Sequence, residues 1–403
     1  MARGPVADLN WSYALVGVAD GTLLTFVPLF LFQRGFDASL IGVVLASAAA
    51  GSLFAGLAWS YLSDRSLRPE QILIGSSAAA AAVALVIGLA SGAGAVAVAI
   101  VALWVARAPF MLLDPIALRQ LEGMGRMQYG RIRLRMSAGW AVSVIAAGAL
   151  YQVAGVQLAP LVYAPLAALF GLWTWYALRR SSASPATVTA APSPLRPRAV
   201  PVSLIGFLAS AFLLGAAMAA TQNFLTLQID VLGGGALLIG AAASFQALTE
   251  IPTMAYMQLL TRVVSQRVLF AIGCATYMAM FLAWAFVSNP LAAALIKLVA
   301  GVAFAFVYVS SVIIADELSP AHLRATSQAL VKSVMFGLAP IAGALAGGIV
   351  YQTLGARVMF LGSIAVVGAA AVIAVTVVRS PQPAATAIRQ ALPAGGPDSA
   401  SGR

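Results

Sequence analysis

The sequence predicts an all-α polytopic membrane protein with twelve transmembrane helices, arranged as two six-helix bundles related by a pseudo-two-fold axis. Composition is the first reason: of 403 residues, 62% are hydrophobic and only 9% are charged, whereas soluble domains carry about 25% charged residues. The second reason is a series of apolar runs, each long enough to cross a bilayer. The third is that short motifs of the first half recur in the second half. We therefore expect lipid to surround most of the chain.

The apolar runs predict twelve helices, separated by short polar, glycine- or proline-containing connections. The expected ranges are, in order, 10–33, 38–62, 70–92, 95–119, 131–153, 157–178, 202–230, 235–260, 267–287, 290–315, 322–352 and 355–378. Residues 179–200 are rich in Pro, Ser, Ala and Arg, and they predict a flexible cytoplasmic linker between an N-terminal bundle (1–178) and a C-terminal bundle (201–379). Residues 380–403 predict a disordered cytoplasmic tail.

Two pairs of short motifs relate the halves. The run GFDASLIG at 35–42 returns as GGGALLIG at 233–240, and YQVAG at 151–155 returns as YQTLG at 351–355; the offsets are 198 and 200 residues. The motifs therefore place two six-helix halves in the same register. A transporter built from two related halves holds its substrate between them, near the bilayer midplane.

Basic residues predict the orientation. If the N-terminus is cytoplasmic, the outside connections hold only Arg34 and Arg357. The inside connections then hold Arg65, Arg68, Arg119, Arg126, Arg131, Arg179, Arg180, Arg196, Arg198, Arg262, Arg267 and Arg324. This bias predicts a multi-pass protein of a bacterial-type inner (plasma) membrane with both termini in the cytoplasm. No basic stretch is interleaved with aromatic residues, so nucleic acid is not an expected partner.

Several kinds of chemistry are excluded by missing residues. Cys274 is the only cysteine and His322 the only histidine, which rules out an internal disulfide and a Cys/His metal cluster. The sequence has no phosphate-binding glycine loop ending in Lys-Ser/Thr and no hydrolase motif. We therefore expect no enzyme and no cofactor, with a proton gradient as the energy source. The expected partners are the lipid bilayer and a small-molecule substrate, and the expected oligomeric state is a monomer.

The run GLAWSYLSDR at 56–65 lies at the turn after the second helix. It resembles the cytoplasmic signature of the major facilitator superfamily, in which a glycine precedes an Asp-Arg pair. The resemblance implies that Asp64 and Arg65 form a gating latch against a neighbouring helix. An ordinary capped turn with positive charge on the inside is the alternative.

The run YGRIRLRMSAGW at 129–140 opens the fifth helix. It resembles the start of this helix in lactose permease and related oligosaccharide–proton symporters. It is equally similar to phenylpropionate permeases, and it resembles nucleoside–proton symporters; together these point to an MFS_1-like group. The run RATSQAL at 324–330 and the glycine-rich run 337–348 agree with this resemblance. It covers nearly the whole chain to residue 380.

The resemblance implies roles for single residues. Arg133 matches a sugar-binding arginine, and Trp140 matches a tryptophan that stacks on the sugar ring. Asp114 lies about where the family has a sugar-binding glutamate. Glu250 matches a carboxylate of the sugar and proton machinery, and Lys297 matches a lysine that forms a charge pair.

The proton relay of lactose permease is incomplete in this sequence. Ala300 and Ala303 stand where that permease has a histidine and a glutamate after the lysine, and its arginine of the ninth helix has no counterpart. Either coupling uses other carboxylates, or the direction and the driving ion differ.

Charged residues inside the expected spans are informative without the family. Inserting one charged side chain into the bilayer costs roughly 2.5–3.5 kcal/mol, so each of these residues needs an oppositely charged partner or a water-filled cavity. They are Asp20, Arg107, Asp114, Glu250 and Lys297. Arg107 and Asp114 share one helix face about two turns apart, so each is expected to contact another helix. We expect Asp114 to pair with Arg133 and to bind a sugar or a carboxylate; a structural ion pair is the alternative.

Glu250, with polar neighbours Gln246 and Thr249, is the first candidate for proton coupling, because a carboxyl group in a low-dielectric environment suits a proton carrier. A permanent pair with Lys297 is the alternative. Asp20 is the second candidate for coupling, and it is also a candidate for substrate binding. Gln222 and Asn223 of the seventh helix are expected either to bind substrate or to hold helices together.

These features predict a secondary active transporter that takes up a small polar organic solute with protons by alternating access. A sugar or oligosaccharide is the first expectation, and a nucleoside or an aromatic acid comes next. A proton-driven exporter of drugs or metabolites is the alternative within transport. A membrane receptor or sensor is disfavoured, because the linker and the tail are too short to hold a signalling domain.

Overall fold

The computed structural model describes residues 5–65, 68–120, 126–177, 201–319 and 324–377. These ranges are almost entirely helical and contain no strand. The linker (179–200) and the tail (380–403) lie outside the described residues, so the domain boundaries stay a prediction.

Six helices form the first half. They are α1 (Ala7–Gln33), α2 (Ala38–Arg65), α3 (Pro69–Leu89), α4 (Ala93–Gln120), α5 (Arg126–Ala154) and α6 (Val156–Ala177). Six more form the second half. They are α7 (Val202–Val231), α8 (Gly235–Val263), α9 (Gln266–Phe286), α10 (Pro290–Glu317), α11 (324–354) and α12 (356–377).

The twelve-helix count predicted from the sequence is confirmed. Ten helical runs are long and apolar enough to cross a membrane, and one of them, Thr326–Val377, is 52 residues long. This run holds both α11 and α12, because Gly355 turns the backbone between them with φ 83° and ψ 168°. The remaining helix, α8, is less apolar because it carries Gln246 and Glu250 near its middle.

Within the described residues, four helices are interrupted along their length by a turn that is not regular α-helix. A 3₁₀ turn interrupts α1 at Leu24–Phe26 and another interrupts α4 at Ala108–Leu112. The helix α10 breaks at Ile296, and α11 contains a π-helical turn at Val334–Leu338. Such turns leave backbone groups outside the regular hydrogen-bond ladder and often mark functional positions. The breaks in α1 and α10 directly adjoin the cavity described below.

Equivalent helices pack closely in both halves. In the first half, a Cβ added to Gly17 would lie 2.0 Å from the carbonyl oxygen of Met136, so only glycine permits this contact of α1 with α5. In the second half, a Cβ on Gly343 would lie 2.2 Å from the carbonyl oxygen of Ala216, where α11 meets α7. Small residues at helix crossings allow such close packing in membranes.

The repeated motifs meet each other across the two halves. We call the membrane face where α6 ends and α7 begins the linker face, and the opposite one the far face. At the far face, the backbone N–H of Ala38 donates to Oε1 of Gln352 (2.9 Å), and that of Leu237 donates to Oε1 of Gln152 (3.2 Å). The start of α2 is thus tied to the end of α11, and the start of α8 to the end of α5.

Glycine crossings seal the same two helix pairs. A Cβ added to Gly42 would lie 2.4 Å from the carbonyl oxygen of Ala344, and one on Gly240 would lie 2.3 Å from that of Val144. The far face is therefore closed. Toward the linker face, Arg133 of α5 faces α1 and α4, yet its side chain is 49% exposed. This exposure supports an opening of the space between the halves toward the linker face.

Candidate solute-binding cavity

A cavity of ≈ 330 Å³ lies between the two halves. Its walls come from α1 and α5 of the first half and from α7, α8 and α10 of the second half. Its polar and aromatic lining residues are Thr25, Trp140, Gln222, Asn223, Thr226, Gln246, Glu250 and Lys297. Volumes of about 300–1,000 Å³ are typical of pockets for small molecules.

Helical spacing brings the polar residues of the second half together. Gln246 and Glu250 are one turn apart on α8, so both face the cavity. The helices α8 and α10 cross closely here, because a Cβ on Gly301 would lie 2.2 Å from the carbonyl oxygen of Gln246. Thr249 fastens the crossing, since its hydroxyl group donates to the carbonyl oxygen of Leu298 at 2.6 Å.

Lys297 is buried, with 7% of its surface exposed, and directly follows the break in α10. Its ammonium group donates to Oε1 of Gln222 and to Oε1 of Gln246, the latter at 3.1 Å. Nε2 of Gln222 also donates to Oε1 of Gln246 (3.2 Å). We call Gln222 and Gln246 the amide cage. The ammonium group also lies 6.0 Å from the centre of the Trp284 ring, within range of a cation–π attraction.

Glu250 forms no ion pair with Lys297. Three ion pairs within 4.0 Å join described residues, and none includes either side chain. The permanent pair that the sequence left open is therefore not present in this structure. Glu250 lines the cavity without a directly bound cation.

Asp114 and Arg133 pair as predicted. Nη1 of Arg133 donates to both carboxylate oxygens at 2.9 and 3.0 Å, and the hydroxyl group of Tyr13 donates to Oδ1 at 2.6 Å. These side chains do not line the cavity. Arg133 precedes Trp140 by seven residues, which places the pair about two turns nearer the linker face on the same side of α5. The pair therefore lies along the opening that leads to the cavity.

Asp20 pairs with Arg107 and not with Lys297. Nη2 of Arg107 donates to Oδ2 of Asp20 at 2.6 Å, and Asp20 is 5% exposed. Oδ1 of Asp20 and Nε of Arg107 are buried without a hydrogen-bond partner among the described residues. The pair lies inside the first half, away from the cavity walls. Arg107 thus contacts α1, as expected for a residue that shares a face of α4 with Asp114.

Comparison with known proteins identifies the fold. A profile of the MFS_1 like family matches residues 9–362. The chain belongs to the MFS_1 like family. The structure of the nucleoside transporter NupG is 17% identical, with a TM-score of 0.81, and the match covers 94% of this chain and 100% of that one. The structure of a mutant of the peptide transporter POT, in complex with alafosfalin, is 12% identical, with a TM-score of 0.73, and the match covers 95% of this chain and 94% of that one. Among curated proteins none matches significantly.

The gating residues of this MFS_1-like protein stay a prediction. Asp64 and Arg65 end α2, but their side chains lie outside the described part of the structure. The expectation that the protein binds no metal ion also stays a prediction. Among the described residues, no group of three His, Cys, Asp or Glu side chains is arranged to hold a metal ion.

Sequence reasoning on the MFS_1-like protein found most of the cavity but missed part of it. Trp140, Gln222, Asn223, Glu250 and Lys297 were candidates, and all of them line the cavity. Two threonines were missed, Thr25 of α1 and Thr226 of α7. Thr226 follows Gln222 by one helical turn, which is the signal that could have found it. Gln246 was noted only as a polar neighbour of Glu250.

Proposed function

We propose that this protein is a secondary active transporter that takes up a small, neutral, polar organic solute together with protons. The observation that carries the proposal is the cavity between the halves, whose walls combine the indole of Trp140, the two amide side chains of α7 and one carboxyl group. Amides suit hydroxyl groups, and an indole suits the face of a ring. A sugar or a nucleoside has both features, and NupG, which shares this fold, is a nucleoside transporter.

Transport proceeds by alternating access in this proposal. The far face is closed by α2 with α11 and by α5 with α8, and the exposed side chain of Arg133 supports an opening toward the linker face. The distribution of basic residues supports a cytoplasmic linker face, both termini in the cytoplasm and an inner-membrane location. The structure then corresponds to the state that releases solute into the cell. The proposed unit is a monomer that needs no cofactor and no nucleic acid.

Glu250 is the proposed proton carrier, because it alone among the acidic residues considered lies on the cavity wall. Asp20 is the second candidate, but Arg107 holds it inside the first half. We assign solute contact to Trp140, Gln222 and Asn223. The exposed Asp114–Arg133 pair would meet solute on its way between the cavity and the linker face.

The alternatives receive less support. An exporter of hydrophobic compounds would favour a cavity rich in methionine and aromatic residues, whereas Trp140 is the single aromatic residue among those that line this cavity, and none is methionine. An aromatic acid would use Lys297 for its carboxylate, but two amide oxygens already bind that ammonium group.

The test is uptake by purified protein in proteoliposomes, with an imposed pH gradient and a panel of sugars, nucleosides and aromatic acids. We expect one neutral class to accumulate with the gradient, and Glu250→Gln to abolish accumulation. Glu317→Gln is the matched control, since Glu317 is an exposed carboxylate at the linker-face end of α10. Gradient-independent uptake, or equal loss in both variants, would contradict the proposal.

A further inference from the structure

The side chains around Lys297 are unusual for a buried cation. A buried ammonium group is normally paired with a carboxylate, but here two neutral carboxamides supply the contacts, Gln222 from α7 and Gln246 from α8. The two amides also bind each other. The cage and Lys297 thus form a connected unit, in which Oε1 of Gln246 accepts from Nε2 of Gln222 and from the ammonium group of Lys297.

A carboxyl group stands close by but forms no ion pair with this cation within 4.0 Å. Glu250 lies one turn beyond Gln246 on α8 and lines the same cavity. The titratable groups that face it are Lys297 from α10 and the phenol of Tyr277 from α9. The helices α1, α5 and α7 contribute no charged side chain to the cavity, only Thr25, Trp140 and other uncharged groups.

The amide cage and Glu250 therefore compete for one ammonium group. A lysine that pairs with a carboxylate favours its ionised form, and such a carboxylate binds a proton poorly. A lysine held by amides is a weaker partner for the carboxylate, so a proton competes better for that carboxyl group. Which partner holds Lys297 thus decides whether Glu250 can carry a proton.

We infer that Gln222 and Gln246 are positioning residues for proton coupling: they hold Lys297 away from Glu250 and so leave that carboxyl group free to bind a proton together with the solute. The inference rests on the proposed function and deepens it. Protonated Glu250 can donate to a solute oxygen, so solute and proton bind as one unit. Without the cage, Lys297 pairs with Glu250, and solute moves without a proton.

The test uses Gln246→Leu, because Leu has a similar size and cannot bind the ammonium group. For one proton per solute, the unmodified protein should accumulate solute about tenfold per unit of pH gradient, since one pH unit is about 1.4 kcal/mol. We expect Gln246→Leu to accumulate less than twofold at any gradient. It should retain exchange of solute across the membrane without a gradient, which reports a folded protein that still binds.

A second substitution separates positioning from direct solute binding. In the double variant Gln246→Leu/Lys297→Met the competing cation is gone, and we expect gradient-driven accumulation to return to at least fivefold per pH unit. If Gln246 only binds solute, removing Lys297 will not restore accumulation.

The outcomes distinguish this inference from the proposed function. Accumulation near tenfold in Gln246→Leu, or no rescue by Lys297→Met, overturns the inference while the symport of the unmodified protein stands. If the unmodified protein exchanges solute but never responds to the pH gradient, the proposed function itself fails, and the inference fails with it. Loss of exchange in Gln246→Leu together with failure of the double variant assigns Gln246 to solute binding and also overturns the inference.

Discussion

The two glutamines at the far face should control how readily this transporter opens on that side. Gln152 and Gln352 each accept a hydrogen bond from a backbone N–H in the first turn of a helix in the opposite half. These N–H groups have no partner within their own helices, so the glutamines satisfy donors that would otherwise stay unpaired. Opening the far face separates α2 from α11 and α5 from α8, and both hydrogen bonds must then break.

The magnitude follows from the two contacts. A single hydrogen bond contributes a net 0.5–1.5 kcal/mol, or about 1 kcal/mol on average. The double variant Gln152→Leu/Gln352→Leu therefore loses about 2 kcal/mol of closed-state stabilisation. Since 1.4 kcal/mol is a factor of ten, the population open to the far face should rise about 30-fold. The close helix crossings at Gly42 and Gly240 are unchanged in this variant, so they continue to stabilise the closed far face.

Cysteine labelling measures this population. Cys274 is replaced by Ala and Thr25 by Cys, which places a single thiol in the cavity. A membrane-impermeant maleimide applied from the far face should label the double variant about 30-fold faster than its parent. Gln157→Leu is the matched control, because Gln157 binds Arg34 within the first half. Equal labelling rates in the parent and the double variant would refute the role of these glutamines as caps of the far-face gate.

Three further predictions concern packing and charge. Gly301→Val should lower the melting temperature and abolish exchange, because its side chain would enter the α8 backbone; overpacking costs about 1–3 kcal/mol. Asp20→Ala should destabilise the protein by about 3–5 kcal/mol, measured by denaturant unfolding in detergent, since it leaves Arg107 buried and unpaired; Asp20→Ala/Arg107→Ala should recover part of this loss. Asp114→Ala should cost about 1–3 kcal/mol in the same assay, because it leaves the hydroxyl group of the buried Tyr13 without its acceptor, whereas the half-exposed pair with Arg133 contributes at most about 1 kcal/mol; Arg133→Ala should therefore cost less than Asp114→Ala.

The fold was predictable because lipid imposes it. Apolar runs long enough to span a bilayer permit few architectures, and the repeated motifs of the sequence indicate how the two halves are related. From the sequence alone, the motifs around Gly42 and Gln152 indicate only that the two halves share a register. The structure explains them, because each motif of one half contacts its complementary motif in the other. Sequence similarity between the halves thus records the requirements of one shared gate.

The partners of the charges were less predictable. The pair Asp114–Arg133 could be anticipated, because neighbouring helices bring the two residues to one depth. The partners of Lys297 could not, because helical periodicity gives the face of a residue but not how far two helices are rotated or bent. Lys297 directly follows the interruption at Ile296, α10 approaches α8 closely at Gly301, and the ammonium group reaches Gln222. Neither feature has a clear signal in the sequence.

The two halves share a backbone plan but differ in how their charges are balanced. In the first half, Asp20 and Asp114 are each paired with an arginine of the same half. In the second half, Glu250 and Lys297 both face the cavity and are not paired with each other. A change of protonation can therefore alter the charge of only one cavity wall. The first half contributes the indole of Trp140 to the cavity, and this side chain does not titrate. If Glu250 carries the proton, as proposed, the change of charge reaches the first half through the solute bound between Trp140 and the amides of α7. Movement of the halves would then depend on an occupied cavity.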